Sequence, residues 1–340
     1  MRLNYWFTLV FVSIISFSNA QNSIQEFIDE GIELHDKGEF EAAVKQYKKA
    51  LKISPDDPLA NYEIGSTYYA MGETNKAVKH ADAVINAKAE FMEPAYILKG
   101  SALDSEKNTK EAIKTYKKGI KSFPNSHLLH FNLALTYYNT GDNANTEKSV
   151  INAIESNPRH ASSHVLLAYL MADQGKRTKI LLAAYHFLLL EPNSSRSKPV
   201  YDLIIQQMNK GVSDDGNNTI NISIPADGGD EFQAVELMLS LLAASKNLEE
   251  NEGKSELEMF AENTDSFFTV LGELSDGEKG FWWDYYVDFY YQMHNEGHVE
   301  ALCYYIGIAN NDPEVMKWLK NNESQIEAFG KWFGTYKPSK

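Results

Sequence analysis

The sequence predicts an all-α protein, with a stack of helical hairpins over residues 24–192 and a separate helical region after it. Three observations carry this. Pro124, Pro158 and Pro192 stand 34 residues apart, and Pro55 lies two such periods and one residue before Pro124. Small residues return at one offset, Gly31, Gly65, Gly100, Ala134 and Ala168, and a second set follows twelve residues later: Ala43, Ala77, Ala112, Thr146 and Ile180. Each interval also holds two runs of apolar residues at helical spacing. A fixed period of about 34 residues with two apolar stripes per unit marks stacked helix pairs, none of which buries its apolar face alone.

The chain opens with Arg2, an apolar stretch from Leu3 to Phe17, and then Ser18-Asn19-Ala20. This is the pattern of a secretory signal cut after Ala20. The stretch is shorter than the roughly 18–20 residues of a spanning helix, and no later segment qualifies, so the mature chain is expected to have no membrane span. The first unit, about 24–57, has Phe27, Ile28, Gly31, Ile32 and Leu34 on one helix. Ala43, Val44, Tyr47, Ala50 and Leu51 lie on the next. Lys37-Gly38-Glu39 turns the chain, with Gly38 open to the left-handed conformation, and Pro55 blocks continuation. Units at about 58–92, 93–126, 127–160 and 161–194 repeat the plan. Their turns fall at Met71-Gly72-Glu73, Lys107-Asn108, Thr140-Gly141-Asp142 and Gln174-Gly175-Lys176. A small eighth residue lets the two helices of a hairpin approach closely.

Small residues at positions 8 and 20 and proline at position 32 of each unit resemble the tetratricopeptide repeat family over roughly half the chain. The departures are Ala89 in place of proline, and Thr146 and Ile180 at the second small position. The resemblance implies a right-handed α-solenoid of about five hairpins that binds a protein or peptide in its concave groove. In the family, positions 2, 5, 9 and 12 of each first helix line that groove. Carried over, position 5 holds Ile28, Tyr62, Ile97, Phe131 and Val165. Position 9 holds Ile32, Ser66, Ser101, Leu135 and Tyr169, and position 12 holds His35, Tyr69, Asp104, Tyr138 and Ala172. These positions contain no Lys or Arg, so the basic clamp that some members close on a peptide carboxylate is missing. An apolar segment is then the expected ligand, with Tyr and Phe as anchors. The competing reading is that ordinary packing or the C-terminal region fills the groove.

After Pro192 the period fades. Residues 195–210 read as a helix that caps the stack. Residues 211–229 read as a polar, glycine-containing linker with a short extended segment at 219–224, which needs a partner strand. Residues 230–340 read as a separate helical domain. Within it, eight of the eleven residues from Phe281 to Tyr291 are aromatic. At helical spacing Trp282, Tyr285, Tyr286 and Phe289 share one face, and Trp283, Val287 and Tyr290 another. Such a helix is usually core, while Trp282, Trp283, Tyr286 and Tyr290 are also the candidates for ligand contact. His294 and His298 stand four apart, but Asn295 and Gly297 predict a turn between them, which breaks a helical metal pair. Neither a metal nor a cofactor is expected.

Net charge is −15, from 32 basic and 47 acidic residues, which disfavours nucleic acid and anionic lipid as partners. Cys303 is the single cysteine, so no disulfide within the chain exists, and it reads as a small buried apolar residue. No phosphate-binding glycine loop, GxSxG elbow or CxxC pair is present. The function predicted is therefore a secreted, periplasmic scaffold that binds a protein or peptide and does no catalysis. Two alternatives stand beside it. One is an enzyme with Asp284, Asp288, His294 and His298 near the aromatic block. The other is an envelope protein that self-associates as a homo-oligomer through 219–224 or the end of the stack.

Overall fold

The computed structural model describes residues 21–88, 90–214, 220–222, 231–245 and 253–336. The expected signal segment 1–20 and the repeat position Ala89 lie outside the described residues. The chain divides into two compact units, Met1–Ser156 and Asn157–Lys340.

The first unit is built from α1 (21–36), α2 (Phe40–Ile53), α3 (Pro58–Ala70), α4 (Thr74–Ala87), α5 (Met92–Ser105), α6 (Thr109–Ser122), α7 (His127–Asn139) and α8 (Asn143–Ser156). Consecutive helices pack on each other, and α3 touches α5 and α5 touches α7, so these first helices form a common layer. The second helices are amphipathic: α2 buries Ala43, Val44, Tyr47 and Ala50 and turns its lysines to solvent. Helix starts are set by capping. Asp57 accepts from the Ala60 amide at 2.9 Å with Pro58 in the first turn, and Ser126 accepts from the Leu129 amide at 3.2 Å. Where position 24 of a unit is tyrosine, position 8 is glycine for a steric reason. A Cβ added at Gly31 would collide with the Tyr47 ring, and one at Gly100 with Tyr116.

A polar joint links one unit to the next. The carbonyl of Pro55 accepts from Asn61 Nδ2 at 3.0 Å, and that of Pro124 from His130 Nε2 at 2.9 Å. Both donors occupy position 4, a recurrence that the apolar pattern of the sequence does not reveal.

The second unit comprises α9 (Ala161–Asp173), α10 (Arg177–Leu190), α11 (Ser197–Met208), β1 (Val212–Asp214), β2 (Ile220–Ile222), α12 (Gln233–Ser245) and α13 (Glu256–Glu273). A π-helical segment (Trp282–Val287) then leads into α14 (Asp288–Asn295), followed by α15 (Val299–Ile306), a 3-10 turn (Gly307–Asn310), α16 (Pro313–Asn321) and α17 (Glu323–Thr335). Its centre is α10, the second helix of the fifth hairpin. Twelve of its fourteen residues are buried, so it is enclosed on all sides rather than on one stripe. Around it pack α9, α11, α12, α15 and the π-helical segment.

Of the expected linker, 215–219 and 223–229 lie outside the described residues, and the described elements before and after it belong to one compact unit, not two. The elements on both sides of it share one core. The buried Arg177 guanidinium makes this explicit: Nε donates to the Gln207 carbonyl at 2.7 Å, Nη2 to the Met208 carbonyl at 3.3 Å and Nη1 to Ser240 Oγ at 3.1 Å. That one side chain fastens α10 to α11 and α12. The extended segment finds its partner within the chain, because β2 pairs antiparallel with β1, Val212 opposite Ile222 and Asp214 opposite Ile220.

Candidate functional site

The groove residues fall into three groups. Ile28 and Val165 do not line a surface: they are 1% and 6% exposed and belong to the packed interior. Ile32, Tyr62, Ser66, Ile97, Ser101, Phe131 and Tyr138 are half-buried. Tyr69, Leu135 and Tyr169 are exposed, at 38% each. Tyr169 and Val165 are in the second unit, so the face of the first unit ends at α7. On that face Tyr62 stacks on Phe91 with ring centroids 5.9 Å apart. Ser101 Oγ lies 3.0 Å from the Tyr116 hydroxyl.

Position 12 alternates in character. In the first and third units it ties repeats together: His35 Nδ1 lies 2.7 Å from Thr67 Oγ1, and Thr136 Oγ1 donates to Asp104 Oδ2 at 3.1 Å. In the second and fourth units it is Tyr69 and Tyr138. The face thus offers aromatic and aliphatic side chains on a hydrogen-bonded frame.

The aromatic block is core. Trp282 and Trp283 are 6% and 4% exposed and Tyr286 and Tyr290 are fully buried, so the four residues expected as ligand contacts are closed off from ligand. Their polar atoms are paired internally. Trp283 Nε1 donates to Glu231 Oε2 at 2.7 Å, and the Tyr290 hydroxyl to the Leu182 carbonyl at 2.9 Å. Tyr286 Oη lies 2.6 Å from His164 Nδ1. The block enters as a π-helical turn, which is wider than the α turn that helical spacing implies. Tyr285 stays half-buried while Trp282, Tyr286 and Phe289 are buried, although its ring still meets Tyr286 edge-on at 4.8 Å. His164 occupies position 4 of the fifth unit and repeats the polar joint, with Nε2 2.9 Å from the Pro158 carbonyl. Its ring stacks on His186 at 4.3 Å. Burial pushes His164 down to about 3 and holds His186 well below the ordinary histidine value, so both rings are neutral.

Of the residues of the enzyme alternative, Asp284 and Asp288 line one pocket, but neither His294 nor His298 joins them there. His294 Nδ1 pairs with Asp265 Oδ1 at 2.8 Å, whereas His298 packs on Trp332, centroids 5.4 Å apart. Between them α14 ends, and Gly297 takes φ +71°. Asp288 accepts from Gln292 Nε2 at 2.9 Å and from the Tyr336 hydroxyl at 3.1 Å, while Asp284 accepts from the Gly280 amide at 3.0 Å. Among the described residues no group of three His, Cys, Asp or Glu is placed to share a metal ion. Cys303 is buried, and burial pushes its thiol up to about 12, which removes thiolate reactivity at neutral pH. Among the described residues no helix is long and apolar enough to cross a membrane.

A TPR-repeat family profile matches residues 31–72, and a tetratricopeptide-repeat profile matches 93–126, the third unit read from the sequence. The chain carries tetratricopeptide repeats. It is 26% identical over 184 residues to a TPR repeat-containing protein of Methanocaldococcus jannaschii, covering 52% of this chain and 32% of that protein. It is also 28% identical over 124 residues to the Hsp70-Hsp90 organising protein of Plasmodium falciparum, covering 36% of this chain and 49% of that one. The chain thus spans a third to a half of the length of these curated relatives. Among solved structures it resembles a thermophilic TPR protein of Thermus thermophilus, with TM-score 0.44 and 20% identity over 55% of this chain and 99% of that one. Tetratricopeptide repeats are a scaffold for protein–protein interaction, and this chain has that architecture.

Proposed function

We propose that this tetratricopeptide-repeat protein binds an extended, apolar segment of a partner protein along the first-helix face of its first unit. It does no catalysis of its own, and it acts in the periplasm after export and removal of residues 1–20. The observation that carries the binding reading is the exposure of Tyr69 and Leu135 on that face, 38% each, beside the half-buried Tyr62, Ile97, Phe131 and Tyr138. Large apolar side chains left open on a rigid helical layer are the usual anchors of a partner chain. The relative named for organising two chaperones carries matching repeats, in keeping with a scaffold role.

Tyr69 and Leu135 are better probes than Tyr62 and Phe131, because truncating half-buried rings also disturbs packing. Partner captured from the native envelope is quantified with wild type and with the Tyr69→Ala/Leu135→Ala variant. Capture is expected to weaken about tenfold or more, since each 1.4 kcal/mol is a factor of ten and a buried anchor contributes about that much or more. Helical circular dichroism and melting temperature should stay at wild-type values. Undiminished capture by the folded variant rejects the face as the binding site. Mature protein that retains Met1 on intact-mass analysis rejects the export reading.

A further inference from the structure

The half-buried edge of the aromatic block lines a cavity, and the argument for it is independent of the first-helix face. Arg159, His186, Tyr285, Phe289, Phe333 and Tyr336 line an open cavity of about 290 Å³ within the second unit. The walls come from five places in the chain: the loop before α9, α10, the π-helical segment, α14, and the end of α17. Phe289 meets Tyr336 and Phe333 edge-on, at centroid distances of 4.8 Å and 6.1 Å. Tyr285 and His186 lie 5.6 Å apart. A cavity of roughly 150 Å³ holds one benzene ring, so this one accommodates a flat bicyclic group. Aromatic walls favour such a group through stacked and edge-on contacts.

Charge narrows the choice. The exposed Arg159 guanidinium lies 5.4 Å from the Phe333 ring centroid. Among the described residues it has no carboxylate partner. Asp288 is near in sequence to two of the wall residues, but its carboxylate is engaged by Gln292 and Tyr336 and it does not line the cavity. His186 is 5% exposed and its Nδ1 makes no hydrogen bond, while Nε2 is 3.4 Å from the Tyr285 hydroxyl. His186 Nδ1 is thus buried and unpaired behind the wall, and Arg159 is the cation among the lining residues, in a chain of net charge −15.

We propose that this cavity is a binding site for a bicyclic aromatic carboxylate, its ring among Tyr285, Phe289, Phe333 and Tyr336 and its carboxylate on Arg159. A free aromatic acid and the C-terminal tryptophan of a peptide present the same chemistry.

The full-length mature chain is titrated with indole-3-acetate, indole, tryptamine and the tripeptide Gly-Gly-Trp, by calorimetry and ligand-observed NMR. Indole-3-acetate or the tripeptide should bind with a Kd on the order of 1 mM or tighter, and whichever binds more tightly identifies the source. Indole should bind about fivefold more weakly than the better acid, the size of one solvent-exposed charge contact, and tryptamine more weakly still. The Arg159→Gln variant alters an exposed residue and keeps the fold. It should abolish the preference for the acid while leaving indole affinity unchanged. Absence of saturable binding by all four probes overturns the proposal. So does tighter binding of tryptamine, which would mark a cation cage, or an acid preference that survives Arg159→Gln.

Discussion

One proton decides the arrangement around His164. The Pro158 carbonyl only accepts, so Nε2, 2.9 Å away, carries the proton. Nδ1 is then a bare acceptor for the Tyr286 hydroxyl at 2.6 Å. A second proton would set an N–H against that hydroxyl's own proton and place a charge beside His186 in a buried stack. In the unfolded chain His164 takes up its proton near pH 6.5, and in the folded chain only near 3. Its contribution to stability is thus complete above pH 6.5 and is lost as pH falls toward 3. The loss amounts to about 2 kcal/mol between pH 7 and pH 5 for one such group. The His164→Asn variant keeps an amide donor for Pro158, as Asn61 does for Pro55, and removes the titration. Urea denaturation at the two pH values should show wild type losing about 2 kcal/mol more than the variant. Equal losses would show that His164 is not held neutral. Nothing in the sequence marks this residue, because position 4 is Phe27, Asn61, Tyr96, His130 and His164 in the five units, and so varied a position leaves no periodic signal.

At the scale of elements the repeats are legible in the sequence. Their helices begin and end where proline, capping side chains and small residues put them, and those are local causes. Position 15 of the units shows how finely the rule operates. Gly38, Gly72, Gly141 and Gly175 take φ between +70° and +78° there, and in the third unit Lys107 takes φ +60°. A β-carbon in that conformation costs about 1–2 kcal/mol, while glycine gives back part of this through the entropy of the unfolded chain. Lys107→Gly should therefore stabilise the protein by up to about 1 kcal/mol, read as a higher urea midpoint at unchanged slope. A lower midpoint would mean that the lysine side chain has a role its exposure hides. The π-helical turn at 282–287 is not legible. Eight aromatics in eleven residues say that a segment is buried, but helical spacing alone then assigns the rings to faces by the wrong period. It offers four core rings as ligand contacts and passes over Tyr285 and Phe289, which line the cavity.

At the scale of the whole molecule the boundary between folding units escapes the sequence for a related reason. Glycine, aspartate and polar residues at 211–229 are the composition of a linker. They carry no information about whether the helices on either side share a core. Here they do. Tyr185 Oη is 2.7 Å from Thr264 Oγ1, and the Tyr290 hydroxyl donates to the Leu182 carbonyl, so the fifth hairpin is the interior of the region that follows it. A fragment of residues 157–340 should fold alone, with a cooperative thermal transition and dispersed amide NMR signals. A fragment of residues 195–340, cut where the repeats end, loses α10 and should remain unfolded or molten. Cooperative melting of the shorter fragment would return the boundary to the end of the repeats.

The burial of α10 also limits how this protein can change its length. A repeat that touches only its neighbours can be copied or deleted as a cassette, because each new junction reproduces an old one. The third unit is of this kind: its joints to the fourth are the Pro124 carbonyl on His130 and the position-12 Asp104 on Thr136. The fifth is not, since His164 and Tyr185 have partners 122 and 79 residues away. Copying it would leave a duplicate histidine, tyrosine and largely apolar helix with no second aromatic block to receive them. Insertion or deletion of a whole repeat is therefore expected to be tolerated before residue 161 and to unfold the protein when it touches the last hairpin.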